Sequence, residues 1–173
     1  MTISQTQDEI LIPERRIVTR KGKEFECLQI NGNYLALKEL KEQGYQPVFM
    51  PQLIDARIEA PKGSRLWKVW YSTPSIKATG KTFDGRKVVV YDHEENYLSS
   101  DPENLNTASS NMVNYAGRIP QKEFQRLVDK DGMTDESGNR LVWVIDYDEL
   151  RKSSSGVINV NDALKHPQII PFL

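Results

Sequence analysis

The chain has 173 residues, 38% hydrophobic and 27% charged, with a formal net charge of −1. That length fits one domain able to bury a core without a disulfide or metal staple, and the composition is that of a globular protein. A charge so near zero excludes a global field drawing the chain to nucleic acid or membrane. The single cysteine, Cys27, excludes an internal disulfide and is read as a buried, inert thiol within a strand.

Residues 1–11 are polar, lack periodicity and are read as a loose tail, leaving residues 12–173 as one domain. Residues 1–9 have neither the basic nor the apolar region of a signal peptide, and no apolar run approaches the length that crosses a bilayer. A cytoplasmic, reducing setting is expected, with no membrane partner.

Strand patterns cover residues 16–20 and 24–30, where Phe25, Cys27 and Gln29 alternate with Glu26, Leu28 and Ile30. Asn31-Gly32-Asn33 is a turn, with Asn33 expected to cap a helix over residues 34–43 that Gly44 stops. Residues 47–51 read as an extended piece between prolines, and residues 52–60 fit either a short helix or a strand. Three strands are expected next, over residues 65–72, 75–82 and 87–91, with Asp84-Gly85 as a two-residue hairpin turn between the last two.

Asp101 caps, Pro102 opens and Glu103 favours the dipole of a helix whose inner face is Leu105, Ala108, Met112, Val113 and Ala116, ending at Gly117. A second helix begins near Pro120 and turns Phe124, Leu127 and Val128 inward. Residues 129–140 form a polar loop. Residues 141–145 are apolar at every position, as in a strand buried on both faces, which would bury Trp143. A short helix over residues 161–165 and an apolar, proline-broken end complete the chain. The expected fold class is α+β, a mixed or mainly antiparallel sheet with a pair of packed helices.

Several strings invite a chemical reading. Gly80-Lys81-Thr82 matches the end of a phosphate-binding loop, but Ser75 stands at its first glycine and a strand, not a helix, follows. Counted from Asp129, the acidic loop puts Met133, Thr134 and Arg140 where a calcium loop needs oxygen ligands and a glycine. Asp92-His93-Glu94-Glu95 gathers a histidine and three carboxylates, yet carries no metal-ligand spacing and reads as an exposed acidic strand end. No cofactor is implied.

Between residues 62 and 87 the charge is almost wholly basic and is interleaved with aromatics. On a twisted hairpin over residues 62–91, Lys68, Lys77, Lys81 and Arg86 would track phosphates while Trp67 or Trp70 stacked on bases, as in single-stranded nucleic-acid binding. Alternation sends Trp67 and Trp70 to opposite faces, so one of them is expected in the core. Lacking a nucleophile–base pair, a metal spacing or an intact phosphate loop, the sequence favours a non-enzymatic binding or assembly module. The alternatives are the nucleic-acid hairpin and a small enzyme whose site is assembled from distant residues. A protein or a single-stranded nucleic acid is the expected partner.

Overall fold

The computed structural model describes residues 16–18, 24–26, 32–61, 63, 65–68 and 71–152. Two short strands, β1 (Arg16–Val18) and β2 (Glu24–Glu26), pair antiparallel with Ile17 opposite Phe25. Cys27, Trp70 and the expected helix over residues 161–165 lie outside the described residues.

Helix α1 (Asn33–Glu42) begins one residue before its expected start, so Asn33 is its first residue and not its cap. Gly32, at φ 95°, stands at the cap position with no side chain to accept from the first turn. The other end closes as the sequence predicts. Gly44 is left-handed at φ 76°, its N–H reaches the Lys41 carbonyl at 3.0 Å, and the Tyr45 N–H reaches Leu40 at 2.8 Å. These two bonds satisfy carbonyls that the helix end would leave unpaired.

The ambiguous segment that follows is helical, α2 (Met50–Glu59), with Pro51 in its first turn. The segment after it corrects the expected strand over residues 65–72: Arg65–Lys68 is a helical turn, α3. Leu66 is buried against Leu53, Ala56 and Ala60 of the α2 layer, and the Arg57 side chain donates to the Leu66 carbonyl at 2.9 Å. Packing on α2 therefore overrides the strand preference of a segment rich in aromatics. Trp67 is 53% exposed, so it is not the core tryptophan.

The main sheet has the order β3-β4-β5, antiparallel throughout, from β3 (Ile76–Lys81), β4 (Lys87–Asp92) and β5 (Val142–Asp146). The turn between β3 and β4 holds three residues, Phe83, Asp84 and Gly85, between a bonded Thr82 and Arg86, and not the expected two. The Thr82 N–H donates to Arg86 at 2.9 Å and Gly85 takes the left-handed position at φ 88°. Tyr97–Ser100 (α4) and Pro102–Ser110 (α5) follow β4, and the Asp101 carboxylate accepts from the Glu103 N–H at 2.9 Å, as its capping role requires. Helix α5 stops seven residues short of Gly117, at Ser110.

Helix α6 (Gln121–Asp129) lays Phe124, Leu127 and Val128 over Val88, Val90 and Val142, the inward face the sequence predicts. On the opposite face, Leu150 and Tyr147 of α7 (Tyr147–Lys152) pack over Val89, Tyr91, Trp143 and Ile145. The strand buried on both faces is thus β4. Strand β5, expected at the centre, is an edge strand among the described residues, and Trp143 is half-buried beneath the Arg140 guanidinium, 4.3 Å from its ring centre.

The outer edge of β5 is closed by the loop before it. Gly132 N–H donates to the Val142 carbonyl at 3.1 Å, and the Asp131 carboxylate accepts from the Val144 N–H at 2.9 Å. This loop, including Asp135 with its bonds to the Ser137 and Asn139 N–H groups at 2.9 and 2.8 Å, uses its carboxylates as internal acceptors.

Gly80 lets α6 sit close to β3, because a Cβ there would fall 2.9 Å from the Phe124 ring. Gly80→Ala should therefore lower stability by about 1–3 kcal/mol through overpacking. Adding Phe124→Leu to that variant should recover part of the loss in thermal unfolding. An unchanged midpoint for Gly80→Ala alone would show that the ring is not seated on this glycine.

Candidate functional site

Beyond α5 the chain forms a small hairpin. Asn111 folds back on α5, its N–H and side-chain amide both donating to the Thr107 carbonyl at 3.2 and 2.9 Å. Val113 and Ala116 then exchange backbone bonds of 2.9 and 3.1 Å around Asn114 and Tyr115. Both central residues are left-handed, at φ 52° and 63°. Asparagine tolerates that conformation, whereas a tyrosine there is strained by its own Cβ. At its base the hairpin is held by Gly117, where a Cβ would come 3.1 Å from the Ala108 carbonyl oxygen of α5.

Tyr115 is 100% exposed, so no tertiary contact of its side chain offsets the strain. Met112 and Val113 beside it are exposed as well. Strain held at an exposed tip on an anchored base is the arrangement found at ligand contacts, and tyrosine supplies contact area at low entropic cost. The hairpin corrects the expected helix, on whose inner face Met112, Val113 and Ala116 would lie. Asn111 and Asn114, both turn formers, were the signal against it.

The Asp92–Glu95 segment, read from sequence as an exposed strand end, is buried at its first two residues and exposed only at Glu95. Asp92 is 0% exposed, and His93 and Asn96 are buried. Alternation separates the two titratable groups, as the sequence implies. Asp92 and Glu94 meet the Lys130 ammonium, which lies 3.8 Å from Asp92 Oδ2, contacts the Glu94 carboxylate and donates to the Glu95 carbonyl at 3.0 Å. Lys41 of α1 reaches the Glu95 carboxylate at 3.4 Å.

His93 Nδ1 instead lies 3.0 Å from Ser75 Oγ, which accepts from the Met50 N–H at 2.8 Å at the start of α2. Asn96 caps α4 through the Leu98 and Ser99 N–H groups at 3.1 and 3.2 Å, and its amide donates to the Pro74 and Glu94 carbonyls at 3.1 and 3.0 Å. These polar side chains join β4 to α1, α2, α4 and α6. Among the described residues no group of three or more His, Cys, Asp or Glu is placed to hold a metal ion.

The described residues expected to bind nucleic acid fall on α3, on β3 and in the turn after β3. Lys77 and Lys81 share the exposed face of β3, with Lys87 paired opposite Lys81. The Lys77 ammonium stands 5.5 Å from the centre of the Tyr91 ring. Arg86 is engaged by Asp84 at 2.9 Å in the turn. Lys68 and Trp67 are exposed on α3, a separate element, and Trp70 is outside the described residues. The single hairpin over residues 62–91 that the expectation required is therefore replaced by a helical turn and a shorter hairpin.

No protein-family model matches the chain, and no curated protein matches it. It is similar, at 52% sequence identity and a TM-score of 0.67, to a solved structure described as "Accommodation of massive sequence variation in Nanoarchaeota by the C-type lectin fold". The match covers 80% of this chain and 62% of that one, so the chain spans less than two thirds of the similar protein's length. The α+β architecture, with its antiparallel sheet and flanking helices, is similar to a C-type lectin fold. Among the described residues no helix is long and apolar enough to cross a membrane.

The Asp92 cluster has a pH signature. Burial raises the Asp92 carboxyl from its ordinary value to about 6, against the opposing pull of the Glu94 N–H and the Lys130 charge. The unfolded carboxyl titrates near 3.9, so folding favours the protonated acid. That contribution is fully present below about pH 4 and is lost as pH rises through about 6. Between pH 4 and 7.5 the wild type should lose about 1–3 kcal/mol relative to Asp92→Asn in denaturant unfolding. Parallel pH profiles for the two proteins would show that Asp92 titrates as a surface carboxylate does.

Proposed function

We propose that the chain is a non-enzymatic binding module that presents the Tyr115 hairpin to a protein partner from a rigid lectin-like scaffold. The observation that carries this reading is the fully exposed tyrosine held in a left-handed conformation. Gly would relieve that strain, and nothing in the packing of the described residues asks for a tyrosine there. The similar protein supports the reading, since its fold is described as accommodating massive sequence variation. A fold can do so where contact residues are separate from the core, and the 111–118 hairpin contributes none of the buried core residues.

Single-stranded nucleic-acid binding has less support, because Lys68 and Trp67 belong to α3 and Lys77 and Lys81 to β3, and not to one hairpin. We read residues 12–173 as one domain, and the single cysteine supports a cytoplasmic, reducing setting.

The test separates stability from binding at one position. Tyr115→Gly should raise stability by about 1 kcal/mol, by removing the left-handed strain. A photocrosslinking phenylalanine analogue at position 115 should attach to a defined partner protein in native extract, and the same group at exposed Asn106 of α5 should not. The Tyr115→Gly protein should then bind that partner at least about tenfold more weakly. Undiminished affinity in this variant would overturn the assignment.

A further inference from the structure

The two edges of the main sheet differ. Loop residues close β5, whereas among the described residues the outer edge of β3 is open along most of its length. The Thr82–Arg86 bond fixes which way each backbone group points. Residues 76, 78, 80 and 82 bond toward β4, so the N–H and C=O groups of Lys77, Thr79 and Lys81 point away from it. The Lys81 carbonyl confirms that direction, since it accepts from the Gln121 side chain of α6 at 2.6 Å. Among the described residues, no hydrogen bond reaches the outward groups of Lys77 and Thr79 or the Lys81 N–H.

We propose that this edge receives an extended acidic segment of a partner protein as an added β-strand. The backbone supplies three outward N–H donors and two free carbonyls in strand register, the template on which strand addition works. Side chains set the chemistry of the guest. Lys77, Thr79 and Lys81 stand on the exposed face, so acidic residues opposite the two lysines form favourable cross-strand pairs. On the other face Ile76 and Ala78 are half-buried against the α6 layer, so the alternate residues of the guest are apolar and continue that layer.

A second copy of this chain is disfavoured by the same lysines. Antiparallel self-pairing about Thr79 sets Lys77 opposite Lys81 twice, and parallel pairing sets each lysine beside its equivalent. The site is built from different residues than the Tyr115 hairpin, so either proposal stands if the other fails.

The test uses the full chain and a short blocked peptide, Thr-Glu-Val-Thr-Val-Glu-Thr. Its counterpart carries lysine at both glutamate positions. Amide proton exchange is followed by NMR. In the free protein the Lys77, Thr79 and Lys81 amides should exchange rapidly, and saturation with the acidic peptide should slow them by about tenfold or more. The lysine peptide should bind about tenfold more weakly, as two reversed cross-strand pairs imply. Thr79→Pro removes the central outward donor while leaving the β3–β4 ladder intact, so it should abolish binding and keep the fold. Should that variant misfold, Lys77→Glu with Lys81→Glu decides, because it should reverse the preference between the two peptides.

Three results would overturn the proposal. Equal binding of the acidic and lysine peptides would remove its charge basis. Slow exchange of all three amides in the free monomer would mean that the chain's own residues cover the edge. A concentration-dependent dimer dissolved by Thr79→Pro would make a second copy the occupant.

Discussion

Strand β4 carries apolar side chains toward both helical layers at once. Val88 and Val90 face Phe124, Leu127 and Val128 of α6, while Val89 and Tyr91 face Leu150 of α7. Full burial of each valine contributes about 1.5–3 kcal/mol, so this one strand supplies much of the favourable term that offsets the entropy of ordering the sheet. Both neighbouring strands depend on it. They pair with β4 and not with each other, and each helix packs on a face that β4 makes continuous.

The strand then continues into Asp92 and His93 without leaving the interior. A buried carboxylate costs free energy unless it is paired, and here one partner is local, the Glu94 N–H, and the other, the Lys130 ammonium, comes from the end of α6. His93 and Asn96 extend the same arrangement toward Ser75 and Pro74. This polar cluster fixes where α1, α2 and α6 meet the end of the sheet. Among the described residues, the exposed hairpin beyond α5 contributes no buried core residue.

How much of this was legible from residues alone follows from the range of each signal. Helix α6 announces itself through Pro120 and the spacing of Phe124, Leu127 and Val128, all within one segment. The Asp101 cap and the Gly44 helix stop are equally local and correspond to the observed bonds. Helical turn α3 departs from the expected strand because the aromatics of residues 65–72 favour strand, while its docking through Leu66 and Arg57 is a tertiary fact. The apolar run of β5 resembled a central strand because burial by a loop, a helix or another strand leaves the same apolar signature. Asp92 and His93 looked exposed since their partners lie 38 and 18 residues away, at Lys130 and Ser75. For the hairpin, apolar Met112 and Val113 fitted a helical face, and the left-handed tyrosine has no sequence signature. Helix α7, which covers the second face of the sheet, was not foreseen at all.

The loop that closes β5 also sets how far this sheet can grow. Asp131 and Gly132 occupy backbone groups of Val142 and Val144, and the chain turns into α7 directly after Asp146. A sheet open at both edges can stack head to tail into a filament, because every added strand leaves a fresh edge behind it. With the β5 edge blocked by its own loop, the three-stranded sheet presents one open edge among the described residues. Strand addition at β3, as proposed, therefore adds one strand to this three-stranded sheet and leaves no second edge among the described residues from which to propagate.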